Sequence, residues 1–141
     1  MITLFTVNLL VIATAVTIHY EFLYRFTLLM PRINVRHRFR IVVGVLGAFT
    51  AHAIEVWIFA LSFYWMHNAD GWGTLEGNFG GSLLDCVYFS FTTYTTLGFG
   101  DVVPKGDLRF LTGLESLTGL LLITWTASFL YLEMTRYWDR E

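Results

Sequence analysis

Between Thr95 and Asp101 the chain reads Thr-Thr-Leu-Gly-Phe-Gly-Asp, with two glycines alternating with bulky apolar side chains. Glycine adopts positive φ without a Cβ clash. Gly98 and Gly100 therefore let the backbone leave strand geometry at alternate positions and turn successive carbonyls toward one axis. A row of closely spaced carbonyls can replace the hydration shell of a cation. Thr96 would add its hydroxyl below its carbonyl, while Leu97 and Phe99 turn outward and pack as a cuff. Asp101 places a negative charge at the end of the row, where acidic groups concentrate cations. The plain alternative is a glycine turn joining two helices.

A second group of chemistry-bearing residues sits in apolar surroundings. His52 and Glu55, at i and i+3, share one helix face. Glu115 lies in a later apolar stretch at a broadly similar depth. Ionisable groups inside a membrane are costly and mark functional candidates. Three readings are open: a hydrogen-bonded brace behind the glycine strip, a pH-sensitive gate built on histidine titration, or, with His19, the metal centre of an intramembrane enzyme. A His-x-x-Glu pair alone supplies few ligands for zinc. No nucleophile-base pair, phosphate-binding glycine loop or complete metal set is present, so neither an enzyme nor an organic cofactor is expected.

The elements that must position these residues follow from hydropathy. Of 141 residues, 14% are charged and 55% hydrophobic, against about 25% charged in an ordinary soluble domain. A chain this short buries too little of its surface to hide that much apolar area from water, so lipid is the expected solvent. One apolar stretch runs from Ile2 to about Ile18 and continues as helix toward Met30, a second covers 41–66, and a third covers 108–132. Each approaches or exceeds the roughly 20 residues that cross a bilayer as a helix. The first lacks a basic leader region and a small-x-small cleavage site, so it is expected to be retained. Residues 67–82 are rich in glycine and polar side chains and read as a loop. Leu83 to Tyr94 is apolar but too short to span. Ser82 and Asp85 ahead of it have the spacing of a capping box. The single cysteine, Cys86, makes no disulfide within the chain and says nothing of the redox compartment.

Basic residues set the expected orientation. Arg25, Arg32, Arg36, Arg38 and Arg40 gather between the first two stretches, and Arg136 and Arg140 follow the third. With three spans both groups fall on one side, the cytoplasmic side by the positive-inside rule. The N-terminus is then outside, and the short apolar run enters from outside. Tyr64, Trp65 and Trp72 would mark the outer interface, with Tyr137 and Trp138 at the inner one. The arginines lack the regular spacing within an apolar span that a voltage sensor needs; they are read as topology determinants, with anionic lipid contact as the other option. No basic tract interleaved with aromatics points to nucleic acid.

The segment Tyr88-Phe89-Ser90-Phe91-Thr92-Thr93-Tyr94-Thr95-Thr96-Leu97-Gly98-Phe99-Gly100-Asp101 resembles the pore of the potassium-channel family, whose filter is usually Thr-Val-Gly-Tyr-Gly-Asp. The resemblance covers roughly 82–132 and looks closest to small bacterial ion-channel subunits and two-pore-domain channels. It implies an all-α integral membrane protein with three transmembrane helices, a re-entrant pore helix and filter loop between the second and third, and a homotetrameric pore in the plasma or inner membrane. Residues 1–40 would be an N-terminal transmembrane helix and basic cytoplasmic linker, and 41–141 the pore unit. That unit divides into an outer helix 41–66, outer loop 67–82, pore helix 83–94, filter 95–101, inner helix 108–132 and a short tail from which no cytosolic ligand-binding domain is expected. Thr96, Leu97, Gly98, Phe99 and Gly100 would hold permeant potassium, supported by Tyr88, Thr92, Thr95 and Asp101, with Tyr88 donating to Asp101.

Gly119 matches the position where related channels bend the inner helix, although close helix packing explains a glycine there equally well. Aligned so, Ile123, Ala127 and Tyr131 would face the cavity. The sequence departs from the family where Leu97 replaces the usual valine or isoleucine and where Phe99 replaces tyrosine, and Thr92 stands where some channels carry a glutamate behind the filter. A weakly selective cation channel therefore stays open beside a potassium-selective one, as does a non-conducting scaffold or accessory subunit.

Overall fold

The computed structural model describes the backbone of residues 1–32 and 37–138 and the side chains of 1–32 and 39–136. Expectations resting on the side chains of Arg36, Arg38, Tyr137, Trp138 and Arg140 lie outside these residues.

Three long helices carry the three apolar stretches. Helix α1 spans Ile2–Leu29. It has no internal glycine or proline and gives way to a single 3-10 turn, Met30–Arg32, where Pro31 has no backbone N–H to continue the helical ladder. Helix α2 spans His37–Asn68. After it come a short strand β1, Leu75–Gly77, the half-length helix α3, Leu83–Tyr94, and a second short strand β2, Val102–Pro104. Helix α4 spans Leu108–Trp138. Helices α2 and α4 thus run several residues past the apolar stretches that announced them.

Segments Ile2–Arg32, Phe39–Asn68 and Leu108–Arg136 are each long and apolar enough to cross a membrane. The chain is a multi-pass membrane protein. Much of the apolar surface of these helices is exposed, including Leu9, Leu46, Phe49 and Leu121, which in lipid carries no penalty. Hydroxyls on the same helices are satisfied locally: those of Thr6, Thr14, Thr50, Thr112 and Thr118 each donate to the carbonyl four residues earlier. Lipid offers no water to do this.

Residues 67–82, expected as a loop throughout, contain β1, which pairs antiparallel with β2 in the register Leu75↔Pro104, Glu76↔Val103 and Gly77↔Val102. Three residues are too few to show alternation, and the partner strand lies beyond α3 and the glycine strip. The pairing is thus set by the folded chain rather than by a local pattern. It ties the segment leaving α2 to the segment leaving the strip.

The core lies where α3 is clasped between α2 and α4. Phe59, Phe63 and Met66 of α2 meet Cys86, Phe89 and Tyr94 of α3 and Leu108 and Leu111 of α4, all buried. Phe63 and Phe89 meet edge to face, with centroids 5.0 Å apart. Helix α1 packs on both α2 and α4, placing Ala15 in this core and burying His19 and Asn8. The side-chain amide of Asn8 has no hydrogen-bond partner among the described residues.

Candidate functional site

Helix α3 begins where Ser82 and Asp85 cap one another. The Ser82 Oγ accepts from the Asp85 N–H at 3.1 Å, and Asp85 Oδ2 accepts from the N–H groups of Ser82 at 3.1 Å and Gly80 at 3.0 Å. This satisfies main-chain donors that the first turn of a helix would otherwise leave open. The bond from the Ser82 main chain, then that with its side chain, holds the Asp85 carboxyl below the usual carboxylate range.

The other end of α3 turns directly into the glycine strip. Thr95 N–H donates to Phe91 O at 3.2 Å, Thr96 N–H to Thr93 O at 2.9 Å and Gly98 N–H to Thr92 O at 2.9 Å. The strip is thereby folded against the carbonyl end of the helix. Its backbone takes positive φ at alternate residues: 59° at Thr96, 50° at Gly98 and 79° at Gly100. The glycines do so freely. Thr96 is β-branched, and such a residue persists in the left-handed region only where its surroundings hold it there, at about 1–3 kcal/mol. The glycines announced two of these positions; that Thr96 would be a third was not legible.

The flanking side chains are placed as follows. Leu97 and Phe99 project away and are about two-thirds exposed in the single chain, at 60% and 65%. The Thr92 hydroxyl donates to Phe89 O at 2.9 Å and the Thr95 hydroxyl to Phe91 O at 2.7 Å, so both are committed to α3 itself. The Tyr88 hydroxyl donates to Asp101 Oδ2 at 2.8 Å, and the Asp101 carbonyl accepts from Asn78 N–H at 2.8 Å. Asp101 is therefore anchored at both its side chain and its main chain.

Gly119 is the point where α4 meets the end of α3. A Cβ there would lie 2.1 Å from the Tyr94 carbonyl oxygen, so only glycine permits this approach. Farther along α4, Ile123, Ala127 and Tyr131 are exposed in the single chain.

The residues expected to cluster divide into two groups. His52 and Glu55 do meet, with His52 Nδ1 3.0 Å from Glu55 Oε2. His19 of α1 joins from the other side, its Nδ1 2.8 Å from Glu55 Oε1. Both Nε2 atoms face one hydroxyl, that of Thr126, at 3.2 Å from His19 and 3.0 Å from His52. The Tyr94 hydroxyl donates to Glu55 and lies 2.9 Å from His52 Nδ1. One polar assembly thus links α1, α2, α3 and α4 at the foot of the strip. Glu115 stays apart from it. It bonds the hydroxyl of Ser90, which also lies 2.9 Å from the Val56 carbonyl. Tyr94, Thr126 and Ser90 had no signal in the sequence, since a tyrosine, threonine or serine in an apolar helix ordinarily serves packing or bonds its own helix.

His19, His52 and Glu55 bring one potential ligand atom each within 4.8 Å of one another. All three atoms already face hydrogen-bond partners from the chain.

Residues 51–136 match the family described as "Ion channel" (Ion_trans_2). The chain is 40% identical over 57 residues, 40% of its length and 19% of the relative's, to the inward rectifier potassium channel Kirbac3.1 of Paramagnetospirillum magnetotacticum. It is 45% identical over 40 residues, 23% of its length and 43% of the relative's, to the potassium channel protein kcv of Paramecium bursaria Chlorella virus 1. The chain thus spans less than half the length of either relative. No solved structure matches it. With the matched segment running from within α2 through α3 and the glycine strip to the end of α4, the chain belongs to the ion-channel family, and its relatives support the potassium-channel pore resemblance.

Proposed function

We propose that the chain is one subunit of a homotetrameric channel that conducts potassium passively across the cell membrane, with Thr96, Leu97, Gly98, Phe99 and Gly100 as its filter. The observation that carries this is the alternation of positive φ at Thr96, Gly98 and Gly100 immediately after α3. That alternation would turn carbonyls to a common side, the arrangement that replaces a cation's hydration shell. Irregular backbone at membrane depth is tolerated where it lines a cavity or is buried in protein. The carbonyl end of α3 abuts the strip, and a helix C-terminus favours a cation by its partial negative charge. Asp101, held by Tyr88, gathers cations at the outer mouth.

One strip forms one side of such a site, so closure requires symmetric copies. The exposure of Leu97 and Phe99 in the single chain suits a cuff that neighbouring subunits cover. Arg25, Arg32 and Arg40 lie at one end of the bundle, at the turn between α1 and α2, and this end is assigned to the cytoplasm. A weakly selective cation pore is the second reading, favoured by Phe99, whose ring cannot anchor the cuff by a hydrogen bond as a tyrosine would.

The test is ion flux from liposomes holding the full chain, under potassium or sodium gradients. Potassium flux well above sodium flux is expected. Equal fluxes would replace selectivity with general cation conduction. An absence of flux in active-orientation vesicles across a wide pH range would overturn the channel reading.

A further inference from the structure

We propose that His19, Thr126, His52 and Glu55 form a buried proton-binding site, holding one proton beyond those its members carry in their usual forms. The four side chains close a ring of four contacts: Glu55 Oε1 to His19 Nδ1 at 2.8 Å, His19 Nε2 to Thr126 Oγ1 at 3.2 Å, Thr126 Oγ1 to His52 Nε2 at 3.0 Å, and His52 Nδ1 to Glu55 Oε2 at 3.0 Å. Each contact needs one proton between its two heavy atoms. A carboxylate brings none, a neutral imidazole one, and a hydroxyl one, so the usual forms supply three protons for four contacts.

The shortfall cannot be met by rotating groups. If both histidines donate from Nδ1 to Glu55, both Nε2 lone pairs face one hydroxyl, which donates to only one of them. Moving a proton around the ring only moves the gap. A gap sets two lone pairs against each other where water has little access: His19 and Glu55 are fully buried and Thr126 nearly so, while the His52 side chain, 19% exposed, is the member nearest solvent. A fourth proton closes the ring wherever it resides, on either imidazole or on the carboxyl. It also cancels the charge of Glu55, which would otherwise be a buried carboxylate with only neutral donors.

The remaining groups facing the ring do not supply this proton. Tyr94 of α3 uses its own hydrogen to donate to Glu55 and accepts from the side of His52. Trp125 of α4 lies ring against ring with His19, centroids 5.3 Å apart. Glu115 of α4, the other ionisable group near Tyr94 among the described residues, is engaged by Ser90. The proton site does not depend on the channel reading. If that reading holds, Tyr94 puts the site one residue from the strip, so proton occupancy bears on how firmly the strip is backed.

The test uses the full chain in lipid bilayers with isotope-labelled histidine and glutamate, observed by solid-state NMR near neutral pH. The expected result is one added proton per chain, seen either as a third protonated nitrogen among the four of His19 and His52 or as a protonated Glu55 carboxyl. Two protonated nitrogens with an ionised Glu55 would overturn the proposal. So would one equivalent of tightly held transition metal per chain, which would occupy the lone pairs instead. Glu55→Gln provides a second arm. Its amide N–H supplies the missing proton covalently, so both imidazoles should become neutral in a folded protein. The part of the thermal midpoint's pH dependence that wild type owes to the ring should vanish. An imidazolium persisting in Glu55→Gln, or a wild-type-like pH dependence, would count against the ring as the site. Should the variant fail to fold, the wild-type spectrum alone decides.

Discussion

At the scale of single residues, two side chains are placed so that their replacement separates effects usually mixed. Asn8 is buried with neither its amide nitrogen nor its amide oxygen paired among the described residues. A buried polar group left unsatisfied costs about 1–3 kcal/mol. Asn8→Leu, close in size and apolar, is therefore expected to stabilise the protein by about 1 kcal/mol or more, read as a higher thermal midpoint in detergent. A lower midpoint would mean that Asn8 has a partner in the assembled protein. Tyr88, by contrast, has a bond to lose, the one to Asp101 at 2.8 Å. At this exposed position solvent screens the bond, so its contribution to stability is small. Tyr88→Phe should leave the fold intact but free the Asp101 side chain. If Asp101 organises the mouth, potassium flux or its preference over sodium falls severalfold; unchanged flux and preference would remove this pair from the mouth's design.

The elements act through their ends. Helix α3 is only 12 residues long, too short to hold together in isolation, so its caps and its seat on α4 matter more than its propensity. The Asp85 carboxyl is lowered by its bonds to Ser82. By linkage, its contribution to stability is complete above the ordinary carboxylate range and is lost as pH falls through the lowered value. Comparing wild type with Asp85→Asn by thermal melts at descending pH should show a gap that closes in acid. A constant gap would mean that ionisation of Asp85 contributes nothing to the cap. The seat is Gly119. A Cβ 2.1 Å from the Tyr94 carbonyl forces α3 off α4, and overpacking of this kind costs about 1–3 kcal/mol. Gly119→Ala should lower the thermal midpoint and disturb the strip that follows Tyr94. Wild-type stability and flux would show that α4 can yield there.

For the whole molecule, the open surfaces make the prediction. The single chain leaves Leu97, Phe99, Tyr88 and Phe91 exposed beside the strip, in a region that should be the most tightly held part of a pore. Native mass measurement in detergent should give four chains. If the strips bind potassium together, replacing potassium by sodium should lower the temperature at which the assembly dissociates. A stable monomer would leave the strip without the copies that a closed site requires.

What the sequence by itself determined is whatever depends on neighbouring residues. Hydrophobic length set the three long helices, because a helix satisfies its own backbone in lipid. The Ser82 and Asp85 spacing set the start of α3, and the spacing of Gly98 and Gly100 marked where the chain departs from strand geometry. His52 and Glu55 were legible as a pair because three residues on a helix face bring them together. The tertiary structure alone decided the rest. Thr96 takes positive φ against its own preference because Thr96 and Gly98 bond back to the end of α3. β1 forms because β2 returns to it after the strip. The buried ring draws His19, His52, Glu55 and Thr126 from three helices, with separations of up to 107 residues. Glu115, although at similar depth, went to Ser90 instead. A buried polar group must find a partner, and the sequence states that requirement; which partner it finds depends on how the helices are packed.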